Sequence, residues 1–278
     1  MKTANKLIGA LAASMLTCAS AQAALITEWG FELDSAFTDY VGGQNITEDN
    51  TNAFYNAPTY VAWGTGTDKN PGLQSSFNLG AGTNGNLVGD VDTNGAFVDT
   101  LELTHNNWEI KSGGAITGAT LSTRLSLSAK AIDGFPIDPI LFPDLPQQIF
   151  DINFKETKNS GDCVVDDDGP KCSDILVINI NDAGGFNPIS GAFEQSFVID
   201  GYKYTAQVKL DGLTTLEDSV CAAANAGSGC IGLTTKEQQS NSFQGSFAIA
   251  ATFVSEPAAI ALLGLSLIGL GGFRRFKK

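Results

Sequence analysis

The chain has 278 residues, with 16 Lys and Arg against 30 Asp and Glu, a formal net charge of −14. Six of the basic residues and one acidic residue lie in the two ends, so residues 24–254 carry 10 basic and 29 acidic groups, a net of about −19. Such a body excludes nucleic acid as a partner, because binding there rests on neutralising phosphates with Lys and Arg; it favours solubility and attracts cations.

Met1 to Ala23 has the three parts of a secretory signal peptide. Lys2 and Lys6 give a positive start, Leu7 to Leu16 an apolar middle, and Ala21-Gln22-Ala23 a small-residue cleavage site, with the mature chain expected from Ala24. Cys18 does not fit a lipoprotein signal, because Thr17 precedes it where a smaller residue is needed. The body, residues 24–254, is long enough for one large β domain or two small ones, with a substantial core.

Short strands dominate the body. Gly64 to Gly95 is rich in Gly, Asn and Thr and reads as loops and short strands on one rim. Ala96 to Leu103 reads as a strand ending just before His105. From Leu121 to Ala129, apolar residues alternate with Ser122, Arg124, Ser126 and Ser128, the period of a half-buried strand. Phe150 to Lys155 alternates likewise, and Asp174 to Ile180 is an apolar run that predicts a strand buried on both faces. Phe197 to Leu210 predicts a hairpin, since Asp200-Gly201 between alternating residues suits a turn with positive φ. Leu213 to Ala226 is the one stretch with helical character, and Phe243 to Phe253 predicts the last strand. The fold class expected is all-β, an antiparallel sandwich or jelly roll, with the leader before it and one apolar helix after it.

The last 24 residues form a third segment, 255–278. Ser255-Glu256-Pro257 precedes an apolar run from Ala258 to Phe273, followed by Arg274-Arg275-Phe276-Lys277-Lys278. A helix over that run is about 24 Å long, close to the roughly 30 Å hydrocarbon core of a bilayer. The basic cluster keeps its end cytoplasmic, so the body lies on the far side of the membrane. This tail resembles the PEP-CTERM sorting signal of Gram-negative bacteria, which implies recognition by exosortase. Glu256 and Pro257 match the motif, and Ser255 stands where its first Pro sits. A plain tail anchor is the other reading.

Four cysteines remain in the body, Cys163 with Cys172 and Cys221 with Cys230 at equal spacing. Four cysteines allow three connectivities. Local pairing is expected, because each pair encloses eight residues rich in turn formers, and the export route favours disulfides over zinc.

Three sets of residues could carry a function. Asp166, Asp167 and Asp168, between Cys163 and Cys172, could supply oxygen ligands to calcium, although their spacing is not that of an EF-hand; a solvated acidic turn is the simpler alternative. Trp63 and Trp108 could stack on sugar rings if exposed, as could Trp29, or could be core. His105, the only histidine, could orient a hydroxyl or ligate a metal, but a hydrogen-bonded turn between strands accounts for it more simply. Glu102, Glu109, Glu156 and Glu194 are carboxylates of the kind a glycosidase uses in pairs, but no hydrolase elbow, metalloprotease helix or phosphate loop accompanies them.

Thr104-His105-Asn106-Asn107 matches the motif that names the THxN family of PEP-CTERM proteins through Thr104, His105 and Asn107. The segments Phe150 to Asn159, Asp200 to Thr205, Cys221 to Cys230 and Thr234 to Glu237 are similar to that family too, so the resemblance spans most of residues 24–254. It implies export across the inner membrane through the secretion translocon, sorting by exosortase, and a role at the cell surface or in an exopolysaccharide biofilm matrix. It brings no enzymatic activity and no catalytic residue. The expectation is therefore a non-catalytic surface or matrix protein, transiently held in the membrane by its C-terminal helix. A secreted glycan-active enzyme and a calcium-dependent assembly subunit are the alternatives.

Overall fold

A computed structural model describes residues 23–142, 145, 147–159, 161–165, 171–179 and 185–254. Residues 1–22 of the leader, residues 255–278 with the expected sorting motif and membrane helix, and Asp166 to Asp168 lie outside the described residues. Among the described residues, no helix is long and apolar enough to cross a membrane.

The strands in chain order are β1 (Ile26–Gly42), β2 (Thr47–Asn52), β3 (Ala57–Trp63), β4 (Ser75–Gly80), β5 (Asn86–Asp92), β6 (Val98–Asn107), β7 (Ile116–Ile132) and β8 (Phe135–Leu141). There follow β9 (Gln148–Lys155), β10 (Asp174–Asn179), β11 (Gly185–Asn187), β12 (Ala192–Ile199), β13 (Tyr202–Leu210) and β14 (Thr214–Thr215). A short helix α1 (Asp218–Ala223) precedes β15 (Ile231–Thr235) and β16 (Gln239–Phe253). They form two eight-stranded antiparallel sheets. The first runs β14-β15-β10-β9-β7-β1-β5, with β8 also on β7; the second runs β11-β12-β13-β16-β6-β4-β3-β2. The sandwich expected from the alternating segments is present.

The core lies between the sheets in two halves. One packs Trp29, Phe31 and Leu127 of the first sheet against Tyr204, Phe247 and Ile249 of the second. The other packs Phe37, Ile152, Phe154, Leu176 and Leu233 against Trp63, Phe77 and Leu103. The long strand β1 serves both, crossing β7 from Ile26 opposite Ile132 to Gly42 opposite Ile116, with register shifts that let it bend. Burying an aromatic or large aliphatic side chain contributes about 1.5–3 kcal/mol each, so interleaved rings such as Trp29 and Tyr204, edge to face at 5.1 Å, are the main cohesion between sheets.

Several sequence expectations hold closely. Residues 121–129 lie in β7, 150–155 in β9, and β10 has five successive buried residues from Asp174 to Ile178. The hairpin turns at Asp200 and Gly201, with φ of +46° and +78°, the two positive values of a type I′ turn.

Four expectations are corrected. The strand expected to stop at Leu103 continues as β6 to Asn107, so His105 is inside a strand and not in a turn. The Gly64–Gly95 stretch is not all rim. Its β4 is an interior strand between β6 and β3, with Ser75, Ser76 and Phe77 buried. The expected helix over 213–226 shrinks to Asp218–Ala223, because Thr214 and Thr215 pair with β15 and Asn225 takes a left-handed φ of +56°. Trp63 is fully buried against Phe77 and Phe154, with ring centroids at 4.9 and 5.4 Å. It offers no face to a sugar, and neither does Trp29, whose indole N–H donates to Thr93 Oγ1 at 2.9 Å.

Candidate functional site

Alternation along β6 sends Thr104 and Asn106 to the outer face of the second sheet and His105 and Asn107 inward. Outside, Thr104 Oγ1 donates to Glu102 Oε1 at 3.1 Å and shares a hydrogen with Ser242 Oγ at 2.9 Å on β16, while Asn106 Nδ2 donates to Ser76 Oγ at 2.9 Å on β4. Inside, His105 is fully buried in an aromatic box. Its ring stacks on Trp63 at 5.8 Å and meets Phe77 at 5.0 Å and Phe154 at 5.2 Å. Burial pushes its pKa down to about 3, so the imidazole is neutral at physiological pH.

Both inward residues reach Thr235, the last residue of β15 in the opposite sheet. His105 Nδ1 hydrogen-bonds Thr235 Oγ1 at 2.8 Å, and Asn107 Nδ2 donates to the Thr235 carbonyl at 3.2 Å. The motif therefore ties the two sheets together where β15 turns into β16. Asn241 closes that turn from the other side, accepting the Lys236 N–H at 2.9 Å and donating to the Lys236 carbonyl at 2.9 Å.

Next to this tie sits a group of acids. Thr235 pairs with Asp174 across β15 and β10, and Ile175 pairs with Lys155 across β10 and β9. The residue after β9, the first of β10 and the turn after β15 thus meet at one end of the first sheet. They are Glu156, Asp174 and Glu237, and one carboxylate oxygen from each lies within 4.8 Å of the others. Asp174 is fully buried, Glu237 is buried, and Glu156 is partly exposed. Asp174 Oδ1 accepts the Thr157 N–H at 2.7 Å, and Thr157 Oγ1 donates to the Ser173 carbonyl at 3.1 Å. Asp174 Oδ2 and Glu156 Oε2 are buried with no donor.

Burial, and then the charges of Asp174 and Glu237, push Glu156 up to about 10. Burial pushes Asp174 up to about 8, with the Glu237 charge adding to it and the Thr157 hydrogen bonds opposing it. Taking a carboxylate out of water costs several kcal/mol, so burial disfavours the ionised forms of Asp174 and Glu156.

A disulfide frames this end. Cys163 and Cys172 are bonded, with Cα atoms 5.1 Å apart, closing the β9–β10 connection whose two ends supply Glu156 and Asp174. Cys221 and Cys230 are bonded as well, Cα atoms 5.7 Å apart, linking α1 to the start of β15. The local pairing expected from the spacing is the one present, and two disulfides suit an oxidising, exported setting.

The other sequence candidates separate. Trp108 is half-buried after β6, its carbonyl accepting from Ser75 Oγ at 2.9 Å, and it alone of the three tryptophans keeps an exposed portion. Glu109 is buried near Lys69 at 3.6 Å, and Glu194 on β12 accepts from Ser190, Gln207 and Asn187. Sequence reasoning singled out Glu156 only as one carboxylate among many and missed Glu237 as a site residue. Both lie in segments marked by the family resemblance, Phe150 to Asn159 and Thr234 to Glu237, which is the signal that could have joined them.

The geometry defines a class: a disulfide-stapled, two-sheet β protein with a buried inter-sheet polar tie beside a three-carboxylate cluster. Compared with known proteins, the chain matches no family model and no curated protein.

Proposed function

We infer that the protein is an exported, non-catalytic component of the cell surface or extracellular matrix, sorted through its C-terminal segment by exosortase and associated with exopolysaccharide. The observation that carries the non-catalytic part is the burial of the motif. His105 and Asn107 are fully enclosed, and the His105 Nδ1 and Asn107 Nδ2 bonds to Thr235 join the two sheets, so neither side chain touches solvent. A glycosidase needs two carboxylates that reach one glycosidic bond. In the acid cluster Asp174 and Glu237 are enclosed, which leaves Glu156 as the one carboxylate with partial exposure. The two disulfides support export. The sorting step rests on the resemblance of residues 255–278, and Trp108 is the residue retained for sugar contact.

The test uses the producing cells and their own polysaccharide. The chain should appear outside the inner membrane, beginning at Ala24 by mass and lacking residues after the sorting motif. It should bind the polysaccharide saturably without generating reducing ends, and Trp108→Ala should weaken that binding with the melting temperature nearly unchanged. New reducing ends would overturn the reading in favour of a glycan-active enzyme. A chain that stays cytoplasmic would overturn export.

A further inference from the structure

We propose that Glu156, Asp174 and Glu237 form a binding site for one divalent cation, with Ca2+ as the cation that fits, which locks the β9, β10 and β15 ends together. This goes beyond the surface-protein reading and does not rest on it.

The distances come first. Calcium binds carboxylate oxygens at about 2.3–2.6 Å, so oxygens on opposite sides of one ion are roughly 4.6–5.2 Å apart. The three carboxylates offer oxygens within 4.8 Å of one another, no farther apart than ligands of one calcium ion can be. Magnesium demands about 2.0–2.1 Å in a near-ideal octahedron, a stricter requirement than calcium's flexible shell of six to eight oxygens. All the donors are hard oxygens, which disfavours the softer transition metals.

The second observation is independent of the clustering. Asp174 is fully buried, and its Oδ2 has no donor while its Oδ1 is already bonded to the Thr157 N–H. A buried carboxylate oxygen left without a donor is costly. Two species can satisfy it: a proton shared with the neighbouring Glu156 carboxyl, or a cation. The surroundings favour the cation, because three carboxylates share the position and one cation can bridge all three, whereas a proton between Asp174 and Glu156 joins only those two. The frame is also rigid: the Cys163–Cys172 disulfide, the Thr157 bonds and the His105–Thr235 tie each hold one of the contributing segments. The partial exposure of Glu156 leaves an entry path for the ion and its remaining water ligands.

The experiment uses the full chain carried through export, purified in mild detergent and stripped with chelator. Equilibrium dialysis against radioactive calcium gives the stoichiometry, and melting is followed with Ca2+, Mg2+ or chelator. The expected result is one Ca2+ per chain in this site, a melting temperature several degrees higher with Ca2+ than with chelator, and a smaller Mg2+ effect. Asp174→Asn and, separately, Glu156→Gln should each weaken binding at least tenfold, and in chelator should melt no lower than the parent. If Asp174→Asn does not fold, Glu156→Gln, at the partly exposed position, carries the test. Absence of bound calcium would overturn the proposal, with the acids then sharing protons. Calcium bound with unchanged affinity in Glu156→Gln would overturn it too, and would move the ion to another site such as the 162–168 loop.

Discussion

His105 and Asp174 are both fully buried ionisable residues, and burial moves them in opposite directions. His105 is lowered to about 3, whereas Asp174 is raised to about 8 and Glu156 to about 10. In the unfolded chain the two acids lose their protons near pH 4 and the imidazole gains one near pH 6.5. Between pH 4 and their folded values the acids hold more protons in the native state, so their contribution to stability falls as pH rises. The histidine holds fewer protons in the native state between about 3 and 6.5, so its contribution falls as pH drops through that window. The two effects oppose each other below pH 6.5. In chelator, the loss of stability should therefore be steepest between about 6.5 and 8, where the acids act alone. Denaturant midpoints at half-unit pH steps would show this, and Asp174→Asn should make the slope shallower. A parent midpoint that does not fall between pH 6.5 and 8 would mean the acids are not protonated in the native state. His105→Ala should cost roughly 2–5 kcal/mol, since it opens a cavity in the aromatic box and leaves Thr235 Oγ1 without its partner; the same denaturation curves read it.

At the scale of elements, the contact between β10 and β15 places half of the site, because it aligns Asp174 with Thr235. It depends on Gly232, which faces Val177 across the ladder. A Cβ at Gly232 would lie 2.1 Å from the Leu176 carbonyl oxygen, a backbone atom that cannot swing away. Gly232→Ala should therefore cost about 1–3 kcal/mol through strand displacement, seen as a lower denaturant midpoint at unchanged slope. It should weaken calcium binding as well, although it touches no carboxylate. The Asp200-Gly201 hairpin was legible in the sequence because two adjacent residues encode its turn. The position of β4 was not, because its composition of Ser, Asn and Gly resembles a loop; Ser75 and Ser76 are tolerated as buried residues because Ser75 Oγ bonds the Trp108 backbone and Ser76 Oγ accepts from Asn106.

At the scale of the molecule, the first and last strands are both interior. β1 lies between β7 and β5, and β16 lies between β13 and β6. The first sheet is complete only with β15 at Thr235 and the second only when β16 reaches Phe253, and the pairing of β16 with β6 joins residues such as Asn241 and His105 that are far apart in sequence. Contacts of this range make folding slow, in the millisecond-to-second regime. A chain ending at Gln238 should therefore lack a cooperative melting transition and be cut rapidly by protease, even though fifteen of the sixteen strands among the described residues remain. Cooperative melting of that truncated chain would show that β13 and β6 hold without the strand between them.

Local pattern alone determined the all-β class, the strands at 121–129, 150–155, 174–179 and 243–253, the type of the 200–201 turn and the local disulfide pairing, because period-two alternation, turn chemistry and short Cys spacing each act within a few residues. The resemblance marked the segments around His105, Glu156 and Glu237 without saying why they belong together. Only the tertiary structure decided that Trp63 is core, that His105 and Asn107 face inward to Thr235, and that Glu156, Asp174 and Glu237 meet. The physical reason is that all three depend on which strands become neighbours. That order is set by how two whole faces bury their side chains against each other, a quantity spread over residues 26 to 253 and carried by no single stretch of them.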